Sequence, residues 1–175
     1  MKNVTKENVE ILRKTAIDRL DDLLGTTDME SNDDRKRTSN YYEWSATKTQ
    51  MVIDEKSFTY KNQFFSKVKR GSVVWVEFGF NIGAEFGGRH PAIVLRRTGS
   101  SIFVVPLSSQ EPDEIKKHHV KIDKVYGFKS MTRWVNVLKI QNVSLQRVDQ
   151  NRSLGNVKGK VMDDINDAIK QTHIF

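Results

Sequence analysis

Apolar positions along this chain follow two different periods, and the change falls near residue 72. Over residues 6–24, Val9, Leu12, Ala16, Leu20 and Leu23 recur at three- and four-residue intervals, which predicts an amphipathic helix. Thr5 is placed to cap its start and Gly25 to end it. Residues 26–38 are polar and charged, with Met29 their lone apolar member, and read as a linker. A second helix is expected over 39–55, with Tyr41, Trp44, Met51 and Val52 near one stripe. The stretch 56–66, with Phe58, Tyr60, Phe64 and Phe65, fits no clear period. From 72 onward the pattern becomes short, β-prone apolar runs over 72–79, 91–97, 101–107, 118–122 and 133–140. Thr98, Gly99 and Ser100 supply a tight turn between two of them. Helical spacing returns from Gly159 to His173, with Val161, Ile165, Ala168 and Ile169 on one face. These periods predict a helical N-terminal extension over 1–66 and a mainly β domain over 67–175. In that domain a small barrel or strongly bent sheet carries a C-terminal helix.

Composition narrows the chemistry. The 175 residues contain no cysteine, so disulfides, thiol nucleophiles and cysteine-bound zinc are excluded. The four histidines, at 90, 118, 119 and 173, form no His-Glu-x-x-His pattern, and no metal site or cofactor is expected. No apolar run approaches a membrane span, and the first residues carry no signal-like apolar stretch, so the expected location is the cytoplasm. The net charge of +7 is unevenly spread. Residues 1–66 hold 11 Lys and Arg against 12 Asp and Glu, whereas residues 67–175 hold 18 against 10. The β domain is therefore the basic one, as suits a surface for phosphates, although a soluble cationic surface has the same composition.

The densest chemistry lies between the first two β runs. Gly79, Gly83, Gly87 and Gly88 punctuate a polar loop that carries Glu85 and leaves through Arg89, His90 and Pro91. It lacks the glycine spacing of a dinucleotide site and the Gly-Lys-Ser/Thr ending of a P-loop, and a strand rather than a helix follows. What it offers is a flexible loop with a carboxylate, a guanidinium and an imidazole beside a strand end.

From Arg70–Gly71–Ser72 through Glu85 to Arg89–His90–Pro91, the chain resembles the MazF/PemK family of toxin endoribonucleases. That family has Arg-Gly-Asp, an apolar strand, Gly-Ser-Glu, then Arg-Pro and a second strand. The likeness continues at Pro106–Leu107–Ser108–Ser109–Gln110, at His119–Val120–Lys121–Ile122–Asp123 with Tyr126–Gly127–Phe128, and at Val143–Ser144–Leu145–Gln146–Arg147–Val148. It covers residues 68–173 in four ordered blocks. It implies a small CcdB/PemK-like, SH3-like barrel, a homodimer, single-stranded RNA as substrate and a small acidic antitoxin protein as partner.

The resemblance also implies site residues. Glu85, His90 and Ser108 stand where the family places its catalytic acid, arginine and threonine. Arg70, Arg89, Arg96, Arg97, Ser109 and Gln110 are the RNA-binding candidates. Ribonucleases of this kind use the 2′-hydroxyl of RNA as nucleophile and need a base, an acid and a donor for the charged phosphorus centre rather than a metal. His90 departs from the family, because an imidazole titrates near neutrality and arginine does not. Gln141 stands where many relatives have arginine. His90 reads either as acid or base, or as a structural histidine closing its loop by a backbone hydrogen bond. Ser108 reads equally as turn chemistry. If His90 faces the site, extended geometry before Pro91 turns Arg89 elsewhere.

The alternative is a weak or inactive relative that binds nucleic acid or a protein through the same barrel. CcdB-type toxins, which resemble this fold and act on DNA gyrase, show that fold does not fix target. The acidic stretch from Asp28 to Asp34 suggests that residues 1–38 dock on the basic domain and lower its RNA affinity, or else extend a dimer interface.

Overall fold

The computed structural model describes residues 4–173. It divides into two compact units, Met1–Gln50 and Met51–Phe175. Residues 174–175, which the expected domain limit includes, lie outside the described residues.

The first unit is built on α1 (Lys6–Gly25) and most of α2 (Asn32–Asp54). Thr5 caps α1 as its sequence position predicts, its hydroxyl accepting from the Asn8 N–H while the Asn8 side chain returns the bond to Thr5. The linker expected over 26–38 is shorter than the sequence suggested. Only 26–31 turns, because Ser31 accepts from the Asp34 N–H and Asp33 and Asp34 sit favourably in the first turn of α2. Thr27 and Thr38 then share a hydroxyl contact of 2.8 Å, and the Tyr42 hydroxyl donates to the Leu20 carbonyl at 2.5 Å. Thr38 is the one buried residue among those described here, and Val9, Ile11, Leu12 and Leu24 stay exposed on α1.

The second unit carries a one-turn α3 (Asn62–Phe65) in the stretch that fitted no period, then seven antiparallel strands. They are β1 (Ser72–Gly79), β2 (Gly88–Thr98), β3 (Ser101–Ser108), β4 (His119–Ile122), β5 (Arg133–Asn136), β6 (Gln141–Ser144) and β7 (Gly155–Asn156). The order is β4-β5-β3-β2-β1-β7, with β6 also on β3. Strand β3 is thus shared. Residues 101–104 pair with β6, and Leu107 and Ser108 pair with β5. The run read as one strand over 133–140 breaks after Asn136, whose side chain accepts from the Leu138 N–H and starts a tight 3-10 turn. That turn frees the chain to return as β6, which sequence pattern did not separate.

Because the sheet bends around β3, both of its faces are buried, and alternating side chains sort into two cores. Val74, Val76 and Phe78 of β1, Ala92 and Val94 of β2, and Ile102 and Val104 of β3 pack inside the curl with Phe65, Val143, Leu145 and Val148. An isolated bridge between Val76 and Val148 ties β1 to the segment after β6. Val73, Ile93, Val105 and Leu107 point the other way, onto β4, β5 and the terminal helix α4 (Gly159–Thr172). Met162, Ile165 and Ala168 are the buried face of α4, flanked by Val161 and Ile169. Among the described residues no helix is long and apolar enough to cross a membrane.

Candidate active site at the ends of two strands

The loop between β1 and β2 is held by side chains. The Phe86 carbonyl accepts from the Asn81 amide and, at 3.3 Å, from the Gln141 amide on β6. Lys139 donates to the Ala84 carbonyl. The Glu85 carboxylate accepts from the Ile82 N–H at 3.2 Å, so this acid closes its own loop. A side chain at Gly87 would place its Cβ 2.6 Å from the Gly79 carbonyl oxygen, which leaves room for glycine alone. Held this way, Phe86 turns inward, edge-on to Phe78 at 5.3 Å and to His90 at 4.7 Å between ring centres.

His90 lies opposite Val76 on β1. In the β2–β3 ladder Ala92 faces Pro106, so the same register carried on by two residues sets His90 against Ser108. The imidazole is hydrogen-bonded to the Leu107 backbone. Burial pushes its pKa below the usual 6.5, and the Leu107 bond partly opposes the shift. The lowered pKa favours the neutral ring near pH 7, with one nitrogen held by the Leu107 backbone. The Leu107 bond accords with the backbone-bonded reading of His90.

Ser108 ends β3 opposite Trp134 of β5. Its hydroxyl accepts from the Gln110 N–H at 2.9 Å and lies 3.3 Å from the Gln110 carbonyl. Beside it opens a cleft lined by Phe86, Ser108, Gln110, Glu111, Asp113, His119, Trp134 and Lys139, among others. The His119 Nδ1 accepts from the Lys116 N–H at 3.1 Å, so in the neutral ring the proton sits on Nε2. A second hollow, sharing Phe86 and Lys139, takes in Asn81, Glu85 and Gln141. Among the described residues no three histidine or acidic side chains converge as a metal site.

The remaining candidates disperse. Arg89, opposite Glu77, turns away from His90 to pair with Asp149. Arg70 spans from the Leu95 carbonyl at 2.9 Å to the Asn166 side chain on α4 at 2.6 Å. Arg97 donates to the Phe65 carbonyl and covers that ring at 6.0 Å. Arg96 and Arg97 also lie six and seven residues along β2 from His90, about 20 Å at about 3.3 Å per residue. The structure therefore puts Ser108 and Gln110 in one cleft, sets His90 against Phe86 behind it and Glu85 in the adjoining hollow, leaves Ser109 exposed just past β3, and places Arg70, Arg89, Arg96 and Arg97 elsewhere. Lys139, His119 and Trp134 were not singled out as site residues from sequence. Lys139 stood inside an apparent strand, and only the 3-10 turn after Asn136 points it at the loop.

A profile described as PemK-like, MazF-like toxin of type II toxin-antitoxin system matches residues 69–173. Among solved structures, MazF (Form-I) from Deinococcus radiodurans superposes with a TM-score of 0.50 at 19% identity, covering 61% of this chain and 96% of that one. MazE–MazF (Form-II) from the same organism gives 0.45 at 18% identity, covering 61% and 96%. The Mycobacterium tuberculosis toxin MazF-mt6 gives 0.45 at 14%, covering 58% and 94%. At 19% identity the first likeness speaks for the fold of the β domain. No curated protein matches the chain.

Proposed function

The chain belongs to the PemK-like, MazF-like toxin family of type II toxin–antitoxin systems, and from that premise we propose that it is a metal-independent endoribonuclease acting on single-stranded RNA. The observation that supports the reading is the strand register, which carried on from Ala92 and Pro106 sets His90, whose lowered pKa favours the neutral imidazole, against Ser108, which lines an open cleft.

In this mechanism the unbonded nitrogen of His90 takes the proton of the RNA 2′-hydroxyl. The 2′-oxygen attacks the adjoining phosphorus, the bond from phosphorus to the 5′-oxygen breaks, and that oxygen receives a proton to leave as a hydroxyl. The products are a 2′,3′-cyclic phosphate and a 5′-hydroxyl end. Ser108 donates to a non-bridging oxygen as charge develops there, after exchanging its contact with the Gln110 carbonyl for the phosphate. Lys139 supplies a cation at the rim, the His119 side chain lines the same cleft with its Nδ1 held by the Lys116 N–H, and the proton for the leaving oxygen comes from water. Glu85 acts on the loop rather than on the substrate.

The reading extends to a homodimer, a cytoplasmic location and an acidic antitoxin that masks the basic domain. The domain limits 1–66 and 67–175 belong to the same proposal. Purified protein incubated with mixed RNA in EDTA tests it. Cut fragments with cyclic phosphate and 5′-hydroxyl ends are expected; intact RNA, or cutting only after a divalent ion is restored, would refute it.

A further inference from the structure

The outer side of the β domain carries a second concentration of positive charge that the cleft does not use. The segment from Arg152 to Lys158 runs along the sheet edge through β7 and touches each part of it. The Arg152 guanidinium lies 5.8 Å over the Trp75 ring, and Trp75 stacks on Phe128 at 6.0 Å and 15°. Phe128 packs so closely on Gly155 that a Cβ there would sit 2.8 Å from the ring. Asn156 bridges to Tyr126. Lys158 is hydrogen-bonded to the Tyr126 hydroxyl, and Lys158 and Lys124 lie 5.1 and 5.0 Å over that ring. At its other end Arg152 lines an open hollow with Lys61 and Lys67, whose lining among the described residues includes no carboxylate.

This surface is separate from the cleft. Trp75 faces Pro91 and its neighbour Val76 faces His90, so in the alternating strand pair Trp75 and His90 emerge on opposite sides of the sheet. The cations are also placed in advance. Aromatic rings hold Arg152, Lys158 and Lys124, Arg152 also lies 3.8 Å from the Asp149 carboxylate that Arg89 engages, and Lys61 is anchored to Asn151 at 2.5 Å, so little side-chain freedom is lost when they meet an anion. Six residues separate Arg152 from Lys158 along this track, at most about 20 Å of chain at about 3.3 Å per residue, a span that several nucleotides of a single strand can follow.

We infer that this edge, from Lys61 and Lys67 through Arg152 to Lys158 and Lys124, is a second binding surface for single-stranded RNA that grips the phosphate backbone outside the cleavage cleft. The inference rests on the proposed ribonuclease reading for the identity of its polyanion. Spaced cations flanked by aromatic side chains suit a sequence-tolerant hold on a single strand.

The test measures binding of a fluorescent 15-nucleotide 2′-O-methyl RNA, which lacks the nucleophile and is not cut, over a range of salt concentrations. Full-length protein is compared with the paired variants R152Q/K158Q and K61Q/K67Q. Each pair should weaken binding and flatten the slope of log affinity against log salt by about 1.4, since each lost phosphate contact on a single strand removes about 0.7. Cleavage of a five-nucleotide RNA, which has few phosphates to spare beyond the cleft, should be much less affected than binding of the 15-nucleotide strand. Wild-type affinity and slope in both variants would overturn the inference, as would failure of the wild-type protein to bind the oligomer. Displacement by polyglutamate of equal charge as readily as by RNA would also overturn it, and assign the edge to an acidic protein instead. Track-dependent binding by a protein that cuts no RNA would sustain the surface and refute the enzyme.

Discussion

At the scale of single residues the candidate site depends on which polar groups are already committed to the protein. Ser108 keeps its hydroxyl at the cleft while serving the turn to Gln110, so Ser108→Ala should retain the fold and lose the donor to phosphate. A drop of about a hundredfold or more in cleavage rate is expected, as for loss of one transition-state donor; single-turnover assays with the protein in saturating excess over RNA check it. Lys139→Met should weaken both the rim charge and the tether on Ala84, lowering cleavage with little change in thermal midpoint. The positions of His90 and Ser108 on β2 and β3 were legible in the sequence because Pro91 and Pro106 lie in the apolar runs that form those strands. The arginines were not, since charge in a sequence does not say where a guanidinium is spent. Arg70 and Arg97 are taken up by carbonyls, Arg70 also by Asn166, and Arg89 by Asp149.

At the scale of elements, the strand ends work only if the loop over 80–87 keeps its shape. Gly87→Ala forces a Cβ against the Gly79 carbonyl and should displace Phe86 from His90. Cleavage is expected to fall at least tenfold while the core strands stay protected in hydrogen exchange. Gly155→Ala meets Phe128 and Val125 at 2.8 Å, inside the core that carries α4, and should cost about 1–3 kcal/mol in denaturant unfolding. The long strands β1, β2 and β3 and the helices α1 and α4 were legible because each repeats its apolar period over several turns or residues. Strands β6 and β7 were not, since four residues and two residues give no period to read. The same limit hid the start of α2, whose first turn is all polar and is fixed by the Ser31 cap and its acidic residues.

At the scale of the whole molecule, charge divides the chain into a near-neutral N-terminal part and a basic β domain, the pattern expected if the extension restrains RNA binding. A cut at residue 38 would leave most of helix α2 without its start, so the truncation should remove residues 1–50, one compact unit, which leaves only the last turn of α2. Tighter RNA binding is expected after that deletion, read by fluorescence anisotropy; unchanged binding together with loss of dimer in light scattering would leave an assembly role. The central claim, that a neutral His90 takes the 2′-hydroxyl proton without a metal, is tested most directly by the cleavage rate in EDTA from pH 4.5 to 8. Because burial lowers the His90 pKa below 6.5, its basic form predominates at neutral pH and is lost as pH falls through that lowered value. The rate should be level near pH 7 and decline on the acid side with a midpoint below 6.5, and His90→Ala should reduce the level rate by about a hundredfold to ten-thousandfold and remove the decline. A wild-type rate retained by His90→Ala across that range would contradict the account and leave His90 as the residue that closes the loop against Leu107.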